Sequence, residues 1–349
     1  MTDSTKQDNV LTKVMWNTQV LAPTHYPIEL VAGESFWFFD EMGDERVGFY
    51  AQAGGGWRNG AVDTIGGSPS SPTFLPVGVK LMWLSFAESC FYHAVLPLPI
   101  QSLQALAEQT LDTNKQVIKN LITIQFAIAP HGFVSLRAGF GNHIQELSTH
   151  KAEMANASWE FFALTNHFSP DLMTMEQYIA KQLVKAPKAV QEQIKNGNLP
   201  TRWQEYSERK FAWHIACDVA LFAHQVIYVN GESSLHLTSA DKQSTNASPK
   251  LQPAPAWIEL FFRKNNQRHY ALVNLSHHQF GKTEQPEDDV AVFEVFKGFF
   301  SSNRPTALVI NLTKDMADTV FLTNGHKEQA LDAHIITKTL ADDEYPWFK

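Results

Sequence analysis

The chain has 349 residues, 44% hydrophobic and 12% aromatic, which makes it a globular protein with apolar material for one large core or two smaller ones. Charged residues make up only 18%, and 28 Lys+Arg against 36 Asp+Glu leave a net charge of -8, which argues against a surface built to neutralise nucleic-acid phosphates. No window approaches the ~20 apolar residues that span a bilayer and the start MTDSTKQDNV is polar, so we expect a cytoplasmic protein with neither nucleic acid nor membrane as a partner.

β-Branched and aromatic runs predict short strands over 14–21, 26–31, 35–39 and 47–51, with turns at Pro23, Gly33 and Gly43. The stretch AQAGGGWRNGAVDTIGG, residues 51–67, then opens a long loop. Its glycines invite comparison with a phosphate cradle, but a cradle needs a helix N-terminus behind it. The following WRNGAVDTIGGSPSSPTFLP holds neither a helical run nor Gly-Lys-Ser/Thr. We read it as an irregular connection between strands, with Trp57 and Arg58 either packing it down or reaching out to a partner.

Strands follow over 77–86 and 89–96. Leu103, Leu106 and Leu111 then recur at helical spacing, with Ser102 as the expected cap. Strands over 121–128, 133–136 and 143–147 flank a turn at Pro130-His131-Gly132. The stretch 169–198 carries Ser169 as N-cap, Pro170 at the first helical position and Gly197 at the far end, and Pro187 should split it into a kinked helix or helical hairpin. Strand-like residues resume at Phe211, with a tight turn at Asn230-Gly231 between 225–229 and 233–237.

The polar stretch TSADKQSTNASPKLQPAP, residues 238–255, has linker composition and marks the expected domain boundary. Strands are predicted beyond it over 257–263, 269–275, 290–296, 307–312, 319–323 and 330–337, with Asn324-Gly325 as another hairpin turn. The expected fold class is α+β, mostly antiparallel β-sheets with a few helices. Its two sheet-rich modules would be 14–237, with a helical insertion at 169–198, and 256–349.

Catalytic motifs are scarce. His277 and His278 lie beside His269, yet adjacent strand residues point to opposite faces and no Cys or carboxylate stands at ligand spacing, so no metal and no cofactor are expected. No GxSxG elbow occurs, and Cys90 and Cys217 sit in apolar runs as core residues. Glu88, in WLSFAESCFYH, is the one carboxylate flanked by large apolar residues, and we expect a basic partner for it such as Arg58 or Arg137.

Two acidic clusters read as solvated faces: Glu284, Glu287, Asp288 and Asp289, and then Asp342, Asp343 and Glu344. The second precedes Tyr345, Trp347 and Phe348, aromatics at a chain end that either dock on their own domain or on something else. The residues expected to face a partner are Trp57, Arg58, Glu287, Asp288, Asp289, Asp342, Asp343, Glu344, Tyr345 and Trp347.

Three stretches in order, WNTQVLAPTHYPIEL, GGGWRNG and LPVGVKLMWLSFAESCFYHAVLPLP, resemble the bacterial domain of unknown function 2931 family. The matching positions are Ala22, Pro23, Tyr26 and Pro27; Gly55, Gly56 and Trp57; and Leu75, Pro76, Trp83, Ser85, Glu88 and Tyr92. With LITIQFAIAPHGFVSL the resemblance covers 14 to about 237. It implies no chemistry and no catalytic residue. Members are commonly small envelope lipoproteins, from which this chain departs in lacking a lipobox cysteine and in extending further. The family's association with toxin and secretion-system genes, type VI among them, implies a non-enzymatic immunity protein that binds a cognate toxin. The competing expectations are an enzyme with Glu88, Arg58 and a histidine converging beside the glycine loop, and a structural component of a secretion apparatus.

Overall fold

The structure is a computed structural model that describes residues 13–35, 37–39, 45–46, 52–54, 56–58, 73–108, 121–237, 248–276, 289–300, 306–312, 319–341 and 344. Strands β1 (Met15–Leu21), β2 (Ile28–Leu30), β3 (Trp37–Phe39), β4 (Glu45–Arg46), β5 (Gln52–Ala53), β6 (Gly78–Ser85) and β7 (Cys90–Pro97) precede helix α1 (Ile100–Glu108). Then come β8 (Leu121–Ala129), β9 (Phe133–Phe140), β10 (His143–Lys151) and β11 (Glu153–Ala155). A helical stretch follows, with α2 (Trp159–Thr165), a 3-10 turn at Pro170–Leu172, α3 (Met175–Leu183), α4 (Lys188–Lys195) and α5 (Arg202–Glu208). The rest comprises β12 (Phe211–Cys217), β13 (Leu221–Tyr228), β14 (Ser233–Leu237), β15 (Lys250–Gln252), β16 (Pro255–Lys264), β17 (Gln267–Asn274), α6 (Asp289–Phe299), β18 (Thr306–Asn311), β19 (Thr319–Thr323), β20 (Glu328–Ala330) and β21 (His334–Thr339).

The fold is α+β, as expected. A nine-stranded sheet runs β1-β8-β9-β10-β14-β13-β16-β17-β21, a second sheet is built on β11-β7-β6-β2-β5 with β3 and β4 beside it, and a five-stranded sheet runs β15-β12-β18-β19-β20. Pairing is antiparallel except for β1 with β8 and β12 with β18. Strand β7 shows why the second sheet lies against the first. Tyr92, Ala94 and Leu96 are buried while His93, Val95 and Pro97 are exposed, the alternation of a strand with one face on a core. Strand β9 is buried along its whole length, between two paired neighbours.

Four apolar clusters fill the layers among the described residues, the smallest of them Ala223, Phe261 and Leu340. One joins α1 and the inner faces of β6 and β7 to β8 and β9; a second lies around β13, β16 and β17 with α5, α6 and the five-stranded sheet. The third packs α2 and α3 on Leu84, Phe86 and Phe91 at one end of the second sheet.

The boundary expected at 238–255 does not separate two sheet systems. Strands β16, β17 and β21 extend the same sheet as β1 and β8, β12 pairs with β18 across the boundary, and β15 falls inside the supposed linker. Polar composition marks a surface connection, and connections within one sheet share it with interdomain linkers.

The run 290–296, expected as a strand, is part of α6. Val292, Phe293, Phe296 and Phe299 are its buried side chains, spacing that fits a 3.6-residue period and not a two-residue one. Helix α1 begins at Ile100, so Ser102 lies within it instead of capping it. In 169–198, Pro187 does break the helix, as the N-cap of α4. The first full helix starts at Thr174, whose hydroxyl accepts from Gln177 N while the Gln177 side chain returns to the Thr174 amide.

Candidate functional site

The glycine loop is pressed against the start of the chain. Gly56 bridges to Ala22, and a Cβ on Gly54 would stand 2.7 Å from Pro27 Cβ, so backbone must approach backbone there. Trp57 is fully buried, with Phe133 at 6.1 Å and Trp203 at 6.2 Å between ring centroids and the Arg137 guanidinium 4.4 Å over its ring. Arg58 lies 4.6 Å over Trp257, donates to Ser276 Oγ at 3.3 Å and pairs with Asp289. Of the two alternatives for this dipeptide, packing down is the one the structure takes.

Asp289 corrects a second expectation. It belongs by sequence to an acidic cluster read as a solvated face, yet it is buried as the first residue of α6, where a carboxylate also complements the helix dipole. Glu344 is partly exposed and accepts from Ala341 N at 2.9 Å and Lys338 Nζ at 3.1 Å, which together lower its pKa. Glu287, Asp288, Asp342, Asp343, Tyr345 and Trp347 lie outside the described residues, as do His277 and His278.

Arg137, from the middle of β9, extends this buried polar centre. It donates from Nε to Ser135 Oγ at 3.0 Å and from an η nitrogen to the Trp57 carbonyl at 2.8 Å. Glu146 on the paired strand accepts from Ser135 Oγ at 2.6 Å and Ser207 Oγ at 2.7 Å, and burial raises its pKa against the opposing pull of Arg137 and the two hydroxyls. Gly231, at φ +86°, leaves room for the guanidinium: a Cβ there would fall 2.0 Å from it.

Glu88 stands at a different junction, between the β6–β7 hairpin and the β8–β9 turn. It accepts from Ser85 Oγ at 2.8 Å, Tyr92 OH at 2.8 Å and His131 N at 3.0 Å, with His131 Nδ1 at 3.7 Å. The expected arginine partners are engaged elsewhere, so His131 takes that place. Of the groups that an enzymatic reading would bring together, Glu88 and His131 meet, while Arg58 is turned to Asp289. Burial first, and then the bond to Glu88, raise the pKa of the Tyr92 hydroxyl.

The turn itself is locked. His131 and Gly132 both have positive φ, +65° and +67°, and a Cβ on Gly132 would lie 2.9 Å from the Tyr92 ring and from the Ala152 carbonyl. His131 Nε2 is 3.2 Å from the Leu199 carbonyl, an atom that can only accept, so Nε2 carries the proton. Outside this turn lies a cleft of about 230 Å³, bounded by the end of β10 and by residues at the start of α5.

The helical layer presents a different surface. Between residues 153 and 176 the chain holds Glu153, Glu160, Asp171 and Glu176, all exposed, and no Lys or Arg. The same stretch exposes Met154 (74%), Phe161 (38%), Leu164 (60%) and Leu172 (75%), large apolar side chains, while Phe162 and Ala163 of α2 are buried. The sequence alone did not separate these from core residues, because Phe161-Phe162 reads identically whichever ring is buried.

Among the described residues no group of three or more His, Cys, Asp or Glu could hold a metal, and no helix is long and apolar enough to cross a membrane. Cys90 and Cys217 are free thiols, and burial pushes the pKa of Cys217 up to about 11.

No curated protein and no solved structure matches the chain. A family model does match, over residues 2–210, a span that holds the glycine loop, the Glu88 junction and the acidic helical layer and ends before β12. That span exceeds half of the chain, and on it the chain belongs to the family described as Protein of unknown function (DUF2931).

Proposed function

We propose that the protein acts by binding another protein, and that its partner is a bacterial secretion-system toxin which it neutralises without chemistry of its own. The observation that carries this reading is the exposed surface of residues 153–176, where large apolar side chains stand among four carboxylates with no cation. Exposed large apolar groups mark protein-binding surfaces, and the carboxylates of the same stretch would steer it to a basic partner. The toxin assignment comes from the family resemblance.

Co-expression with the product of the neighbouring gene tests the proposal. The two should co-purify and associate at micromolar concentration or tighter, and Leu164→Glu with Leu172→Glu should weaken that association at least tenfold. A neighbouring product without toxicity, or a toxic one that fails to associate, removes the proposal.

A further inference from the structure

The cleft outside the β8–β9 turn has a chemistry that the partner-binding surface lacks. Lys151, His150 and His131 contribute its basic groups, and Thr149 and Thr201 add hydroxyls. Among the described residues no Asp or Glu lines it, in a chain whose net charge is -8. The opposite wall is apolar and includes Pro130, Phe133 and Trp203. Its volume of about 230 Å³ equals that of roughly eight liquid waters, small for a drug-like ligand but ample for an acid group on one ring.

The walls are preorganised. Trp203 is held by Trp57 and, edge-on, by Tyr26 at 5.2 Å. His131 is kept in a left-handed conformation, uncommon for a residue with a Cβ, by its amide bond to Glu88 and its ring bond to Leu199. Lys151 is exposed and forms no ion pair with a described residue.

We infer that this cleft binds a small organic anion, a carboxylate or phosphate monoester on a flat apolar body, with Lys151 at the acid group, Thr149 beside it on the same face of β10, and Phe133 and Trp203 against the body. This site is independent of the toxin-binding reading and does not use residues 153–176. The lysine supplies a point charge suited to either head group.

Calorimetric titration of the full chain with benzoate, phenyl phosphate and inorganic phosphate, with backbone amide shifts mapped in parallel, tests the inference. At least one of the two aryl anions should bind saturably in the millimolar range or tighter, shifting Lys151, Thr201 and Gln204. Inorganic phosphate should bind at least about tenfold more weakly than the better aryl ligand. The stronger of the two aryl probes identifies the head group. Lys151→Gln, at an exposed position that leaves the fold intact, should weaken binding about tenfold. No saturable binding of either aryl anion, binding indifferent to Lys151→Gln, or inorganic phosphate binding as well as the better aryl ligand would each overturn it.

Discussion

Arg58 and Asp289 form a buried ion pair although 231 residues separate them, and the pair ties the glycine loop to the first turn of α6. Both side chains are almost wholly withdrawn from water, at 3% and 4% exposure, so removing Asp289 leaves the Arg58 charge buried without this partner. Asp289→Ala should therefore cost about 3 to 5 kcal/mol, well above the usual effect of a surface substitution. The double variant Arg58→Met/Asp289→Leu should cost less than Asp289→Ala alone. Urea denaturation of the three proteins reads both differences, and a loss below about 1 kcal/mol for Asp289→Ala would show that this pair does not secure the loop.

The Glu88 junction makes a similar prediction through hydrogen bonds. Glu88→Ala strands Ser85 Oγ, Tyr92 OH and the His131 amide, and each buried donor left without an acceptor costs about 1 to 3 kcal/mol. Partial access of water to the site reduces the sum, and we expect about 2 to 4 kcal/mol. Glu88→Gln keeps an acceptor oxygen and should lose less than half of that. Amide exchange gives the sharper measurement: in Glu88→Ala the His131 amide should exchange much faster, while amides in the middle of β16 keep their protection.

How far these sites could be read from the sequence depended on the range of the interaction. The strands β6 and β7, the break at Pro187 and the hairpin turns at Gly231 and Gly325, with φ of +86° and +80°, follow from neighbouring residues and were legible. Helix α6 was not, because its Val and Phe content favours strands and only tertiary packing of one face selects the helix. The partners of Arg58 and Glu88 were not legible either. Asp289 and His131 reach them through strand order and turn geometry, which residue type and local spacing do not encode. Trp83 lies between these cases: it falls within the strand expected over 77–86, whereas its stacking on Tyr92, at 5.6 Å and 25°, follows from their cross-strand register.

That register carries the third prediction. Trp83 is 1% exposed and occupies the contact between the second sheet and the nine-stranded one, so Trp83→Ala should cost about 3 to 5 kcal/mol as other buried aromatics do. Trp83→Phe keeps a ring against Tyr92 and should lose markedly less. Thermal unfolding of both variants supplies the comparison. Equal destabilisation by the two would show that ring stacking contributes little.

The histidines on β10, β13 and β14 predict how stability depends on pH. His224 and His236 are cross-strand partners whose rings stack at 4.8 Å, and His143 and Lys250 add positive charge around them. Burial first, then His236 and Lys250, bring the pKa of His224 down to about 3, and His236 and His143 are lowered in the same direction, with Glu232 opposing the shift at His143. Because the unfolded chain takes up these protons near pH 6.5 and the folded chain does not, the unfolded state binds more protons at acid pH. Stability contributed by His224 is thus complete above about pH 6.5 and falls by up to about 1.4 kcal/mol for each pH unit below it, until the folded group titrates near 3. Glu146 and Glu259, whose pKa values burial raises, act in the opposite sense as pH rises past the ordinary carboxylate range, so the wild-type curve alone mixes the two effects. Comparison with His224→Gln isolates the histidine, since both carboxylates are retained. The variant should lose close to one proton from the slope of unfolding free energy between about pH 6 and pH 4, and parallel slopes for the two proteins would mean that His224 is not held neutral in the fold.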